Sequence, residues 1–248
     1  MHRFYLAPEN WRPDALALTG SEAHHARNVL RLEPGSRAVL FDGCGHEITA
    51  EVSGFSGTTV QLRKLHETQT PRLRCRITLV QAIPKGKNMD LIVQKAVEIG
   101  AAEIAPILSD RSVVRLDEDD AAQKQAKWQT VAIEAAKQCG QNWLPHVRRP
   151  ATLAQFFTGA ERGDLRLIGS LQPGAQHLKD VLAEYAAEHR AERPTNVLMF
   201  IGPEGDFTPA ELNLARTNGC RSITLGPIIL RVETAAIYCL SVLSYELL

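Results

Sequence analysis

From residue 76 to its end the chain alternates short β-branched runs with longer stretches of helical periodicity, and this alternation restricts the fold more than any other feature. RITLVQAI, EIAPILS, RLIGS, NVLMFIG and SITLG read as strands. NMDLIVQKAVEIG, AAQKQAKWQTVAIEAAKQCG, QHLKDVLAEYAAEH, TPAELNLARTNG and VETAAIYCLSVLSYEL read as helices, the first two closed by glycine. Strands separated by helices in this way predict an α/β architecture, a mostly parallel sheet covered by helices on both faces. The first 66 residues follow another pattern. RFYL, ALALT, RAVLFD, HEITAEV and TVQLRKL are short alternating runs broken by the turns DGCG and SGFSGT, which predicts a small β-rich barrel or sandwich. One helical interruption, SEAHHARNVLRL, is expected to begin with Ser21 as N-cap and to end near Pro34-Gly35. The stretch HETQTPR at 66–72 marks the boundary, giving two expected domains, 1–70 and 71–248.

Charge and cysteine usage narrow the class. Lys plus Arg and Asp plus Glu are 28 each, but residues 71–150 hold 13 basic against 9 acidic side chains and residues 151–248 hold 8 against 11. The basic surplus in the middle is compatible with a polyanion-facing surface and equally with a solvated helix face. No apolar run is long enough for a membrane span, and MHRFYLAPENW lacks the basic-then-apolar order of a signal peptide, so the mature chain is expected to begin at Met1. Five cysteines, scattered and forming no C-x-x-C, predict neither a disulfide framework nor a zinc site and fit a reducing cytoplasm. PKGKNMD lacks the glycine and the Ser/Thr of a P-loop, and FDGCGHEI stops before the third glycine of a dinucleotide fingerprint. His24 and His25 are adjacent and point to different sides of a helix, so no metal site is expected, and no G-x-S-x-G marks a hydrolase elbow.

Ligands of open parallel sheets bind beyond the carboxyl ends of the strands, which singles out the segments GSLQPG, GPEGDF and GPIILRVETA. In the second of these Gly202 and Gly205 are expected to make the tight turn, while Thr208, Pro209 and Glu211 form a capping box that starts the next helix. Glu204 has no helix-building task. Arg231 and Glu233 interrupt an apolar run where a strand gives way to a helix. They read either as an ion pair at a helix N-terminus or as an anion-handling pair beside a ligand crevice.

IGPEG (201–205) followed by LGPIILRVETA (225–235) resembles the C-terminal motifs of SPOUT-class RNA methyltransferases. With HHARNVLR (24–31), DLIVQKAVEIG (90–100), DRSVV (110–114) and EAAKQCGQNWLPHV (134–147) in order, the chain is similar to the RsmE family, which methylates N3 of a uridine in small-subunit ribosomal RNA. The resemblance implies an N-terminal PUA-like β-barrel that binds RNA and a SPOUT α/β domain with a deep C-terminal trefoil knot. It also implies a homodimer and S-adenosyl-L-methionine as cofactor. The matching cofactor positions are Gly169, Ser170, Leu171, Ile201, Gly202, Pro203, Glu204, Gly205, Leu225, Gly226, Pro227, Leu230 and Thr234. Arg231 and Glu233 match the catalytic position, with Glu233 taking the N3 proton and Arg231 holding charge on the flanking carbonyl oxygens. Arg3, His24, Arg27, Arg31, Lys85, Lys87, Arg111, Arg115 and Gln138 are the expected RNA contacts, with no membrane and no metal partner. Gln141, Asp206 and Ile228 stand where the family usually has arginine, glycine and arginine. A SPOUT enzyme acting on another RNA and a non-catalytic RNA-binding or ribosome-assembly protein remain alternatives.

Overall fold

Residues 1–112, 116–159 and 163–248 are described by the computed structural model of the chain. Its contacts divide it into two units, Met1–Arg72 with Ile133–Leu144, and Leu73–Ala132 with Pro145–Leu248.

The first unit contains β1 (His2–Tyr5), β2 (Ala17–Leu18), α1 (Gly20–His24), β3 (Arg37–Phe41), β4 (His46–Ser56) and β5 (Thr59–Gln69). Among the described residues the strands form one sheet in the order β1-β3-β4-β5-β2, with β1 parallel to β3 and the remaining pairs antiparallel. Side chains of a strand alternate between faces, so Ile48, Ala50 and Val52 of β4 all point inward. They join Phe4, Leu18, Leu40, Val60 and the helical Ala23 and Ala26 in one core. Register shifts at Thr49/Ala50 and Val52/Gly54 bend the long β4–β5 hairpin around that core. The DGCG turn is built by buried Asp42, whose Oδ1 accepts from the N–H groups of Cys44 (2.7 Å) and His46 (3.1 Å).

The helical interruption departs from its sequence reading. α1 starts at Gly20 with Thr19, not Ser21, at the N-cap and without a side-chain cap bond. It then widens into a π-helical turn over His25–Val29, where Leu30 N–H donates to His25 O (2.9 Å). Arg31, at φ 52°, turns the chain away well before Pro34-Gly35.

The second unit runs β6 (Arg76–Ala82), α2 (Asn88–Ile99), β7 (Glu103–Leu108), α3 (Glu118–Cys139), β8 (His146–Val147), β9 (Ala151–Thr152) and α4 (Leu153–Gly159). It continues through β10 (Leu165–Gly169), β11 (Gln176–His177), α5 (Leu178–Glu188), β12 (Asn196–Ile201), α6 (Pro209–Thr217), β13 (Arg221–Thr224) and α7 (Val232–Leu247). The last seven residues of α3 group with the first unit. Among the described residues the sheet order is β11-β13-β10-β12-β6-β7-β8, β9 also pairs β7, and every pairing is parallel. β6, β7 and β12 are buried nearly throughout, which is why they read as continuous apolar runs. Val80, Ile107, Ile168, Phe200, Phe207 and Leu212 share a core on one face. α7 packs on α2, β6 and β12. Buried Glu103, at the start of β7, accepts from the guanidinium groups of Arg76 and Arg148, so its charge is matched where water is excluded.

Candidate active site

Parallel strands put their carboxyl ends on one edge of the sheet. β10 ends at Gly169, β12 at Ile201 and β13 at Thr224, and the loops that follow them line a cavity together with Asn88 and the first turn of α7. Its volume is about 450 Å³, within the usual range for a small-molecule site. Close approach explains Gly202: a Cβ there would lie 3.2 Å from the Phe207 ring and 3.3 Å from its backbone N. Gly226, at φ 113°, makes the turn after β13. The tight turn is centred on Glu204-Gly205, with Asp206 N–H donating to Pro203 O (3.0 Å); Gly202 precedes it, and Asp206 leaves it at φ 61°.

The capping box is present as expected. Thr208 Oγ1 accepts from Glu211 N–H (3.2 Å), and the Glu211 carboxylate accepts from Thr208 N–H (2.8 Å). Glu211 is buried and has two further partners, Asp110 N–H (3.0 Å) and Ser109 Oγ (3.2 Å), which tie α6 to the turn after β7.

Ten of the expected cofactor positions line the cavity: Gly169, Ser170, Leu171, Ile201, Gly202, Pro203, Glu204, Leu225, Gly226 and Leu230. Gly205, Pro227 and Thr234 adjoin them in sequence without lining it. Arg231 and Glu233 both line it, Arg231 as the exposed, extended N-cap residue of α7 and Glu233 half-buried in its first turn. Among the described residues no ion pair joins the two. Glu233 Oε2 instead accepts from Asn88 Nδ2 (3.2 Å). Sequence reasoning missed Asn88 and Thr224, which also line the cavity, as do Ile229, Val232 and Ala235 from the GPIILRVETA segment it had singled out. The carboxyl-end rule applied to β6 would have drawn attention to PKGKN and so to Asn88.

The expected RNA contacts are placed unevenly. Glu204 Oε1 accepts from Lys85 N–H (2.9 Å), and the Arg111 guanidinium donates to Gly205 O, so the loops carrying exposed Lys85, Lys87 and Arg111 are tied to the cavity wall. In the first unit His24, Arg31 and Gln138 are exposed, while Arg27 lies over the Phe55 ring (4.9 Å) and donates to Gly57 O. Arg3 is engaged by Glu47 (2.6 Å) and Asn142 (2.6 Å) and lies over Phe41. Arg115, with Val113 and Val114 of the DRSVV stretch, lies outside the described residues. Gln141 serves a local turn, its Oε1 accepting from Trp143 N–H (3.1 Å).

The chemistry of the wall discriminates between ligands. Glu204, Asp206 and Glu233 face one guanidinium, Arg231, which suits a cation and opposes a polyphosphate. No cysteine lines the cavity. Burial pushes the thiols of Cys75 up to about 11 and of Cys220 and Cys239 up to about 12, whereas Cys44 and Cys139 are exposed. Among the described residues no group of three or more His, Cys, Asp or Glu could hold a metal ion, and no helix is long and apolar enough to cross a membrane.

The family model for an RNA methyltransferase domain matches residues 71–244, and that for an RNA methyltransferase PUA domain matches residues 18–65. The ribosomal RNA small subunit methyltransferase E of Bacillus subtilis is 31% identical over 231 residues, 93% of this chain and 90% of that one. The chain belongs to the ribosomal RNA small subunit methyltransferase E family. The solved structure of the Neisseria gonorrhoeae member bound to S-adenosyl methionine is 32% identical with a TM-score of 0.85, covering 99% of this chain and 98% of that one. A putative methyltransferase from Legionella pneumophila in complex with SAM is 34% identical with a TM-score of 0.87, covering 98% and 97%. Membership of this methyltransferase family makes the first unit PUA-like and assigns the parallel sheet and its cavity to the RNA methyltransferase domain.

Proposed function

We propose that this member of the family transfers a methyl group from S-adenosyl-L-methionine to N3 of a uridine in small-subunit ribosomal RNA, acting in the cytoplasm as a homodimer. The observation that carries the reading is the cavity at the carboxyl ends of β10, β12 and β13, with Arg231 and Glu233 on one wall and an excess of carboxylates. Such a wall fits a cationic sulfonium. When bound, S-adenosylmethionine supplies an electrophilic methyl group and leaves as the neutral thioether. Gly169–Leu171, Ile201–Glu204, Leu225, Gly226 and Leu230 hold it, with Ile201, Leu225 and Leu230 forming an apolar slot in which backbone groups read the adenine edge; Gly205, Pro227 and Thr234 shape the loops behind that wall.

Uracil N3 is a poor nucleophile while it carries its proton, and the Glu233 carboxylate accepts that proton. The Arg231 guanidinium stabilises the negative charge that then spreads to the flanking carbonyl oxygens. Asn88, donating to Glu233 Oε2, fixes the direction in which the carboxylate points. N3 lies on the Watson–Crick edge, so the target nucleotide is unpaired or flipped out and the flanking RNA has to be gripped. Lys85, Lys87, Arg111 and Arg115 in 71–248, the methyl-transfer domain, hold phosphates, and His24, Arg27 and Arg31 of the RNA-binding domain 1–70 add to the grip together with Gln138 of α3. Arg3, spent on Glu47 and Asn142, is left out of this set.

The reading includes a deep trefoil knot in the C-terminal segment. It is supported by β13 lying beside β10 while α7 returns to pack on β6 and β12. The homodimer is supported by Tyr238 (46% exposed) and Tyr245 (87%) on α7 and by Leu91 (40%) on α2, apolar surface that a second copy would cover. Single-turnover transfer by Glu233→Gln is the test of the chemistry. The expected loss is about 10²- to 10⁴-fold in rate at saturating cofactor, well beyond any weakening of cofactor binding that follows from removing one wall carboxylate. A normal rate would remove the base role from Glu233, and absence of any S-adenosylmethionine binding would leave an RNA-binding protein without turnover.

A further inference from the structure

Asp206 is the non-glycine residue of the cavity wall held at positive φ, and its side chain accounts for that conformation. A carboxylate tolerates the left-handed region better than most side chains when it can bond locally, and Oδ1 accepts from Phe207 N–H (2.8 Å). Oδ2 reaches across to the loop after β10 and accepts from Leu171 N–H (3.2 Å). The start of that loop is already fixed: Ser170 is buried, its N–H donates to Ile223 O (3.0 Å), and its Oγ accepts from Gln172 N–H (3.2 Å). Leu171 is different, with its side chain 60% exposed on the cavity rim and its N–H held by Asp206. Among the described residues this is the side-chain hydrogen bond that joins the loop after β10 to the loop after β12.

We infer that Asp206 is a positioning residue for the cofactor, its carboxylate clamping Leu171 N–H so that two of the three cavity loops have their ligand-binding shape before the ligand arrives. The inference rests on the reading of the cavity as an S-adenosylmethionine site. Ordering a loop in advance lowers the entropy that binding would otherwise consume. The alternative role of a carboxylate in this position is to attract the cofactor's positive charge directly. The two roles separate on substitution. Glycine accepts φ 61° without strain and offers no tether, whereas asparagine accepts the same φ, loses the charge and keeps one carbonyl oxygen, which serves Leu171 N–H at the expense of the local bond from Phe207 N–H.

The experiment is calorimetric titration of S-adenosylmethionine into the full chain as wild type, Asp206→Asn and Asp206→Gly, each first checked by thermal melting, followed by kcat and KM for the cofactor. Asp206→Gly is expected to weaken binding about tenfold, the size of one charge-assisted hydrogen bond, with a matching rise in KM and unchanged kcat. Asp206→Asn is expected to stay within about threefold of wild type because the tether survives. Binding by Asp206→Gly as tight as or tighter than wild type would overturn the clamp. So would equal losses in both variants, which would assign the effect to charge, or a fall in kcat and melting temperature in place of the KM effect, which would make the residue merely structural. A wild-type chain that takes up no S-adenosylmethionine would defeat the cofactor reading itself and this inference with it.

Discussion

Glu233 receives its hydrogen bond from a residue 145 positions earlier in the chain, and that separation explains both what Asn88 does and why it was hidden. Locally, Asn88 is an ordinary first residue of α2. Its partner became visible only when α7 packed on α2. Asn88→Leu keeps the branched shape and removes the donor. Transfer at saturating substrates is expected to fall about tenfold with cofactor affinity unchanged, because one hydrogen bond to a charged group is lost. Single-turnover rates and calorimetry check the two halves. Arg231 and Glu233 themselves were legible, since charges in the middle of an apolar run have to be explained by a helix end or a ligand. The cysteines give a second residue-level prediction. At pH 8 a buried thiol raised to about 12 is thiolate in roughly one molecule in ten thousand, and its sulfur is also shielded. Brief iodoacetamide treatment of the native protein is expected to label exposed Cys139 and Cys44 and to spare Cys75, Cys220 and Cys239. Peptide mass spectrometry reads the order, and early labelling of Cys239 would contradict the packing of α7.

At the scale of elements, α6 shows a local signal fulfilled and then extended. The capping box lies within four residues, Thr208 to Glu211, so sequence alone was enough to place the helix start. That Glu211 also accepts from Ser109 and Asp110, about a hundred positions away, was not legible, and it makes the two halves of the box unequal. Thr208→Ala is expected to cost about 1 kcal/mol, the ordinary worth of a cap. Glu211→Ala also leaves Ser109 and Asp110 N–H without their acceptor and is expected to cost about 2–3 kcal/mol. Denaturant unfolding ranks the two, and equal losses would show that the tie to the turn after β7 contributes nothing. The π-helical turn at His25–Val29 is the opposite case. Periodicity extended the helix toward Pro34-Gly35, whereas the chain leaves it at left-handed Arg31. The paired segments β8, β9 and β11 were missed because two residues carry no periodicity.

For the whole molecule, alternation of strands and helices predicted a parallel sheet but could not give its order. Any permutation of β6, β7, β10, β12 and β13 would read the same in sequence. The three cavity loops were nevertheless found, because parallel strands bring their carboxyl ends to a shared edge in every permutation. The proposed homodimer has its own test at this scale: sedimentation should give a dimer for the wild type and a folded monomer for the Tyr238→Arg/Tyr245→Arg double variant, and a wild-type monomer would contradict it. The central claim is the reaction, and one measurement reaches it directly. Small ribosomal subunits lacking the modification are incubated with the protein and methyl-labelled S-adenosylmethionine, and the RNA is analysed by nucleoside mass spectrometry and reverse-transcription mapping. The account predicts a single N3-methyluridine at one position; label on another base or another atom, or no label despite bound cofactor, would contradict it.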